Sequence, residues 1–206
     1  MTTVKGSGSS YRQEQAGATK VRIAEAAQKL FATLGYGATS MDAIAREAGV
    51  ANRTVYAAFG AKRHILSQIC ERWLERAGAR TLAEEILERP DPMARLRGAA
   101  TWLTTLYSTD FDVALILDAA LDEDAETREL LRAKLRGRNR VMNSLIASIE
   151  SELALPLDAA QAVYRALGAT GVYRELVVES GWHPDRFERW LADTLAAQLT
   201  KGPTVP

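Results

Sequence analysis

The chain has 206 residues, enough for one large domain or two small ones, and its 47% hydrophobic content supports a real core. Lys and Arg (26) balance Asp and Glu (26), so net charge alone gives no sign of a polyanionic partner. One cysteine and two distant histidines, Cys70, His64 and His183, exclude an intramolecular disulfide and a thiolate metal cluster. With no nucleophile–base pair and no Gly-rich phosphate signature, no catalytic residue, metal or cofactor is expected, and an enzyme is disfavoured.

The distribution of charge is more informative than its sum. Residues 1–64 carry nine basic and four acidic side chains, and residues 65–206 carry seventeen and twenty-two. A basic first third joined to an acidic remainder implies that one end meets a polyanion. No apolar run is long enough to span a bilayer, and the N-terminal stretch lacks the apolar core of a secretory signal. A cytoplasmic location and no membrane partner are expected.

In chain order, residues 1–17 are rich in Gly, Ser, Thr and Gln and read as a disordered arm, with Lys5 and Arg12 available to phosphates. From Thr19 the pattern becomes helical. Ile23, Ala26, Ala27, Leu30, Phe31 and Leu34 form one apolar stripe, stopped by Gly35 and Gly37. A short helix over about 41–48 follows, with Ser40 as N-cap and Met41, Ile44, Ala45 and Ala48 inward. Gly49-Val50 makes a turn. A second short helix over about 52–59 points Val55 and Phe59 inward. A further helix starts on Lys62-Arg63. Two prolines in Arg89-Pro90-Asp91-Pro92 break the chain, because they cannot share a helix interior. Helices are then expected over about 93–109, 113–121, 125–151, 158–179 and 184–199. The fold class is all-α: a three-helix N-terminal domain and a larger helical bundle, with about nine helices in total.

Residues 40–59 have the outline of a helix-turn-helix, whose second helix enters the DNA major groove. Gly49 tolerates the positive φ that the tight turn needs. The outward residues of the reading helix are Asn52, Arg53, Thr54, Tyr56 and Ala57. Arg53 suits guanine O6 and N7, Asn52 adenine, and Thr54 a phosphate or a thymine methyl. Tyr56 can donate its hydroxyl to phosphate, and Lys62 adds a charge at a helix start.

This segment resembles the DNA-binding domain of tetracycline-repressor (TetR) family regulators. The resemblance rests on Ser40-Met41-Asp42-Ala43-Ile44-Ala45, Ala48-Gly49-Val50, Thr54-Val55-Tyr56, Phe59 and Lys62, over about residues 18–78. Ala51 stands where the family usually has a capping Ser, Ala61 where it has Ser or Asn, and Arg63 where it has an acidic residue. The resemblance implies DNA contacts from Thr39, Ser40, Met41, Ala51, Asn52, Arg53, Thr54, Tyr56, Ala57 and Lys62. It also implies that residues 79–201 sense a small-molecule effector and dimerise.

For that second region the residues permit candidates. Trp102, Leu106, Tyr107, Phe111, Ile116, Met142, Leu145 and Tyr173 are candidates for an apolar ligand pocket, with ordinary core as the alternative. Asp118, Asn143, Glu175 and Arg140 are candidates for polar contacts. Gly168, Gly171, Phe187, Leu191 and Leu195 are candidates for a homodimer interface, since the resemblance implies a four-helix one there. Trp182 is expected to staple onto Phe187. Arg132, Lys134, Arg136, Arg138 and Arg140 read as a solvated, salt-bridged surface, and Cys70 as a buried thiol. The expected function is a homodimeric repressor on a pseudo-palindromic double-stranded operator, released by a small molecule. An activator or a ligand-independent repressor of the same fold is the alternative, and a helical interaction module that does not bind DNA is a further one.

Overall fold

The computed structural model describes residues 7–201. Its helices are α1 (Ser7–Leu34), α2 (Met41–Glu47), α3 (Asn52–Phe59), α4 (Lys62–Arg76), α5 (Ala79–Leu87), α6 (Pro92–Thr109), α7 (Phe111–Ala119), α8 (Ala125–Ala147), α9 (Leu157–Leu167), α10 (Thr170–Tyr173) and α11 (Pro184–Leu199). Among the described residues the β pairing is a single isolated bridge, Leu153 to Thr200. The class is all-α, as the periodicity predicts. Two features divide the chain more finely than the sequence pattern. Gly78, at φ 58°, starts α5 as a helix separate from α4. The stretch expected as one helix over 158–179 stops at Gly168, passes through extended Ala169 and continues as α10 and a π-helical turn, Arg174–Glu179.

The first helix also begins earlier than expected. Residues 7–17, assigned to a disordered arm, are helical. The run of Arg, Gln, Glu and Ala at 12–16 consists of good helix formers, which outweigh the neighbouring Gly and Ser. Residues 1–6, with Lys5, lie outside the described residues.

The chain forms two compact units: Met1–Glu71 with Leu115–Leu131, and Arg72–Ala114 with Arg132–Pro206. In the first, Ile23, Ala27 and Phe31 of α1 are buried with Ile44 and Ala45 of α2, Val55 of α3, and Ile65, Leu66 and Ile69 of α4. Each fully buried Ile or Leu adds about 1.5–3 kcal/mol, so this small core holds the short helices that propensity alone would not. Leu34, placed on the apolar stripe, is instead exposed at the helix end.

The second unit is built on α6. Asp91 caps it by accepting from the amides of Met93 and Ala94, and Pro92 occupies its first turn, so the proline break serves as a helix start. Gly98 lets α5 approach closely, because a Cβ there would stand 2.6 Å from the Ile86 side chain. Phe187, Leu191, Leu195 and Leu199 of α11 are buried, with α11 packed on α6. Aromatic polar tips are anchored to backbone: Trp73 Nε1 donates to Leu106 O (2.8 Å), Trp102 Nε1 to Ala79 O (2.7 Å) and Tyr164 Oη to Ala99 O (2.6 Å).

Candidate nucleic-acid interface

The reading helix is positioned by its turn. Ser40 Oγ accepts from the Ala43 amide (3.1 Å) and starts α2. Gly49, at φ 62°, reverses the chain while the Val50 amide donates to Ala45 O (3.0 Å). Any side chain at 49 would sit in the left-handed region, which glycine alone enters without penalty. α3 then begins on Ala51 without a side-chain cap. Val55 is fully buried and fixes the helix phase, which leaves Ala51, Asn52, Arg53, Tyr56 and Ala57 exposed and Thr54 half-buried. Arg53 has no hydrogen-bond or ion-pair partner among the described residues. Tyr56 is 51% exposed. An unpaired guanidinium and a phenol on a solvent-facing turn are groups that duplex edges and phosphates can engage.

Four of the expected DNA contacts have other partners. The Asn52 amide donates to the Asp42 carboxylate, tying the starts of α3 and α2 together. Thr39 is 2% exposed, and its hydroxyl donates to Gly35 O (2.8 Å), closing the loop after α1. The Met41 side chain is buried in the small core. Lys62 is half-buried. Its ammonium donates to Tyr36 O (2.5 Å) and Thr39 O (3.0 Å), more weakly to Gly37 O (3.3 Å), and lies 4.2 Å from the Tyr36 ring centroid. Desolvation lowers its pKa, opposed by the Glu123 and Asp124 carboxylates. Lys62 therefore clamps the loop between α1 and α2. Arg63 pairs with Glu126 at 2.7 Å, which removes the basicity that its departure from the family pattern implies. Tyr36 is buried, and its hydroxyl meets Thr127 Oγ1 at 3.2 Å.

Arg46, in the last turn of α2, is exposed and unpartnered among the described residues. Sequence reasoning passed over it, although its phase opposite Ile44 and Ala45 marks it as outward. Lys29 reaches Glu47 at 2.6 Å and is committed there.

In the second unit, the pocket candidates Trp102, Leu106, Met142 and Leu145 are core side chains, each 2% exposed or less. Trp102 is pinned to α5 by its indole. Ile116 belongs to the first unit. Tyr107, Phe111 and Tyr173 do come together: Tyr107 lies 5.5 Å from Phe111 and 5.0 Å from Tyr173, centroid to centroid, and Trp73 stacks on Tyr107 at 6.5 Å. Phe187 and Trp190 continue this chain of rings. Among the polar candidates, Asp118, Glu175 and Arg140 are exposed, and Asn143 accepts from Arg165.

The interface candidates also divide. Phe187, Leu191 and Leu195 are 0% exposed within the single chain, because the wide stripe of α11 is spent on α6. Gly168 is buried where a Cβ would strike Met142 and Leu103, so its small size serves internal packing. Gly171 alone of the set is exposed. Trp182 packs edge-on against Trp190 (6.2 Å) under the Arg186 guanidinium, so it does not staple onto Phe187. Cys70 is buried. No described helix is long and apolar enough to cross a membrane.

Residues 23–69 match the family model of bacterial regulatory proteins, tetR family. No curated protein matches the chain by sequence. Solved structures share its fold. NalD, the secondary repressor of the MexAB-OprM multidrug efflux pump in Pseudomonas aeruginosa, is 20% identical with a TM-score of 0.73 over 92% of this chain and 99% of that one. A transcriptional regulator of Saccharomonospora viridis in complex with choline is 21% identical, TM-score 0.70, over 90% and 99%. FadR of Bacillus subtilis in complex with stearoyl-CoA is 19% identical, TM-score 0.69, over 85% and 96%. The turn geometry and the family match together identify residues 23–69 as a TetR-family helix-turn-helix, in a chain that shares the fold of these solved structures.

Proposed function

We propose that the chain is a homodimeric transcriptional repressor that holds a pseudo-palindromic operator and releases it when a small molecule binds the second unit. The observation that carries this is the exposed turn of α3, with unpaired Arg53 and Tyr56 held outward by buried Val55 and by the Gly49 reversal. Two copies of this turn, spaced about 34–36 Å apart, read successive major grooves on one duplex face. Occupied promoter DNA then excludes polymerase. The similar structures support the ligand part of the reading, since one is described with choline and another with stearoyl-CoA.

The buried state of Phe187, Leu191 and Leu195 moves the proposed dimer surface to what α9 and α11 leave outside. Ala162 and Ala166, one turn apart on α9, form an exposed small-residue pair that allows close helix approach across a two-fold axis. Release needs a ligand that prefers the DNA-incompetent form, and a hundredfold loss of operator affinity corresponds to about 2.7 kcal/mol of coupling.

Anisotropy titration of the full chain against a duplex selected from random sequence, at several salt concentrations, tests this reading. Tight binding to the selected duplex, weakening steeply with salt, is the expected result. Equal affinity for selected and scrambled duplexes would refute it. Ala166→Glu is expected to yield monomers by sedimentation; persistent dimers would place the interface elsewhere.

A further inference from the structure

One charged side chain of the second unit is turned inward without a counter-ion. Arg138 lies in the middle of α8, in a run of alternating basic residues whose sequence pattern reads as a solvated surface. Arg132, Arg136 and Arg140 are exposed, as expected, whereas Lys134 and Arg138 are half-buried. Its Nη1 donates to Tyr107 Oη at 3.2 Å, and its Nε is sealed from solvent with no hydrogen-bond partner. No carboxylate pairs with it among the described residues. Tyr107 Oη donates to Gly168 O (2.8 Å), so the phenol orients the guanidinium but cannot neutralise it. A half-buried guanidinium whose sealed Nε has no acceptor carries a desolvation cost that no partner in the chain offsets.

Two more polar atoms nearby in the sequence of the same helices are orphaned: Thr104 Oγ1, one turn before Tyr107 on α6, and Asn139 Oδ1, next to Arg138 on α8. Tyr173 is 2% exposed as a residue, and its hydroxyl, which is not sealed from solvent, makes no hydrogen bond among the described residues. Its ring belongs to the cluster with Tyr107 and Phe111. The π-helical turn Arg174–Glu179 begins immediately after it, a wide turn of the kind often kept at functional positions. Apolar rings beside a guanidinium that lacks a counter-ion, with a few unmet polar atoms on the same helices, have the composition of a small-molecule site.

We propose that the second unit binds a small organic anion with an apolar body, its carboxylate or equivalent oxyanion held by Arg138 and its body laid against Tyr107, Phe111 and Tyr173. This rests on the effector-binding reading above and gives the effector a chemical class. The anion supplies the missing acceptor for Nε and cancels the charge. Thr104, Asn139 and Tyr173 are the groups left to discriminate among bodies that carry hydroxyls.

The test uses the full chain and three matched pairs of probes: 2-naphthoate and 2-naphthylmethanol, octanoate and octanol, phenylacetate and 2-phenylethanol. Affinities are read by calorimetry. For at least one pair the acid is expected to bind about ten- to hundredfold more tightly than its neutral twin. Arg138→Met is expected to erase that preference and leave the neutral twin's affinity unchanged, whereas Arg140→Met, on the exposed face, preserves the preference. Without ligand, Arg138→Met is expected to melt at the same temperature as the wild type or higher, since an unpaired charge has been removed. The proposal is overturned if no pair shows a preference, or if the preference survives Arg138→Met. It is equally overturned if Arg138→Met unfolds while Arg138→Lys folds but binds no acid preferentially, which would make the side chain structural. Duplex binding is measured separately on the wild-type chain, so its failure strikes the regulator reading, and failure of acid binding strikes this one.

Discussion

Arg53 and Arg138 both lack a carboxylate partner, but for opposite reasons of environment. Arg53 stands on an exposed helical turn, where water satisfies it until a polyanion arrives. Arg138 is half-buried, its Nε is sealed from solvent without an acceptor, and its Nη1 donates only to a phenol. An unpaired charge in water costs little and carries little information alone, whereas the same charge indoors implies a missing partner. The first unit thus presents its reactive groups outward on a small rigid core. The second sets Arg138, half-buried, against the hydroxyl of Tyr107, a member of its aromatic cluster.

Substitutions sharpen this contrast. The largest expected effect is in the second unit's core: Phe187→Ala should cost about 3–5 kcal/mol of unfolding free energy in urea, whatever the protein concentration. A loss that disappeared at high concentration would instead assign Phe187 to a subunit interface. Arg53→Ala should leave stability within about 0.5 kcal/mol while costing about 1–3 kcal/mol against a selected duplex. A large fall in melting temperature would contradict the outward, unpaired placement of that side chain.

Lys62→Ala separates a clamp from a phosphate contact. It should destabilise the chain by about 1–3 kcal/mol through the lost charge-assisted bonds to the Tyr36 and Thr39 carbonyls. The slope of duplex affinity against salt should stay the same. A slope lower by about one unit with unchanged stability would return Lys62 to the phosphate role.

The smallest effect concerns the start of α8. The Thr127 amide and then its hydroxyl hold the Asp124 carboxyl below the ordinary carboxylate range. A depressed folded value means the cap is fully present above the unfolded pKa and is lost as pH falls through the lower, folded one. The Thr127 amide resonance should therefore titrate with a midpoint below that of an exposed Asp. A midpoint at the ordinary value would mean that the cap does not form.

The parts of the molecule legible in the sequence are those set by neighbours in the chain. Ser40, Gly49, Val55 and the apolar positions of α1 and α2 announce the helix-turn-helix because capping, φ and helical phase are local properties. What the sequence pattern leaves out are partners far along the chain. Asn52 is claimed by Asp42, ten positions back, and Lys62 by Tyr36, 26 back. The stripe on α11 shows that Phe187, Leu191 and Leu195 are buried, but an apolar stripe does not say whether α6 or another chain covers it. Arg138 was hidden for a related reason: alternating charges spread around a helix, and which one turns inward depends on where Tyr107 waits.

Recovery of bound sequences from a random duplex library, by the wild-type chain and by Arg53→Ala in parallel, tests the central claim most directly. The wild type should enrich an inverted repeat, and Arg53→Ala should enrich the same repeat with one position per half-site relaxed. No enrichment by the wild type, or an identical motif from both proteins, would contradict it.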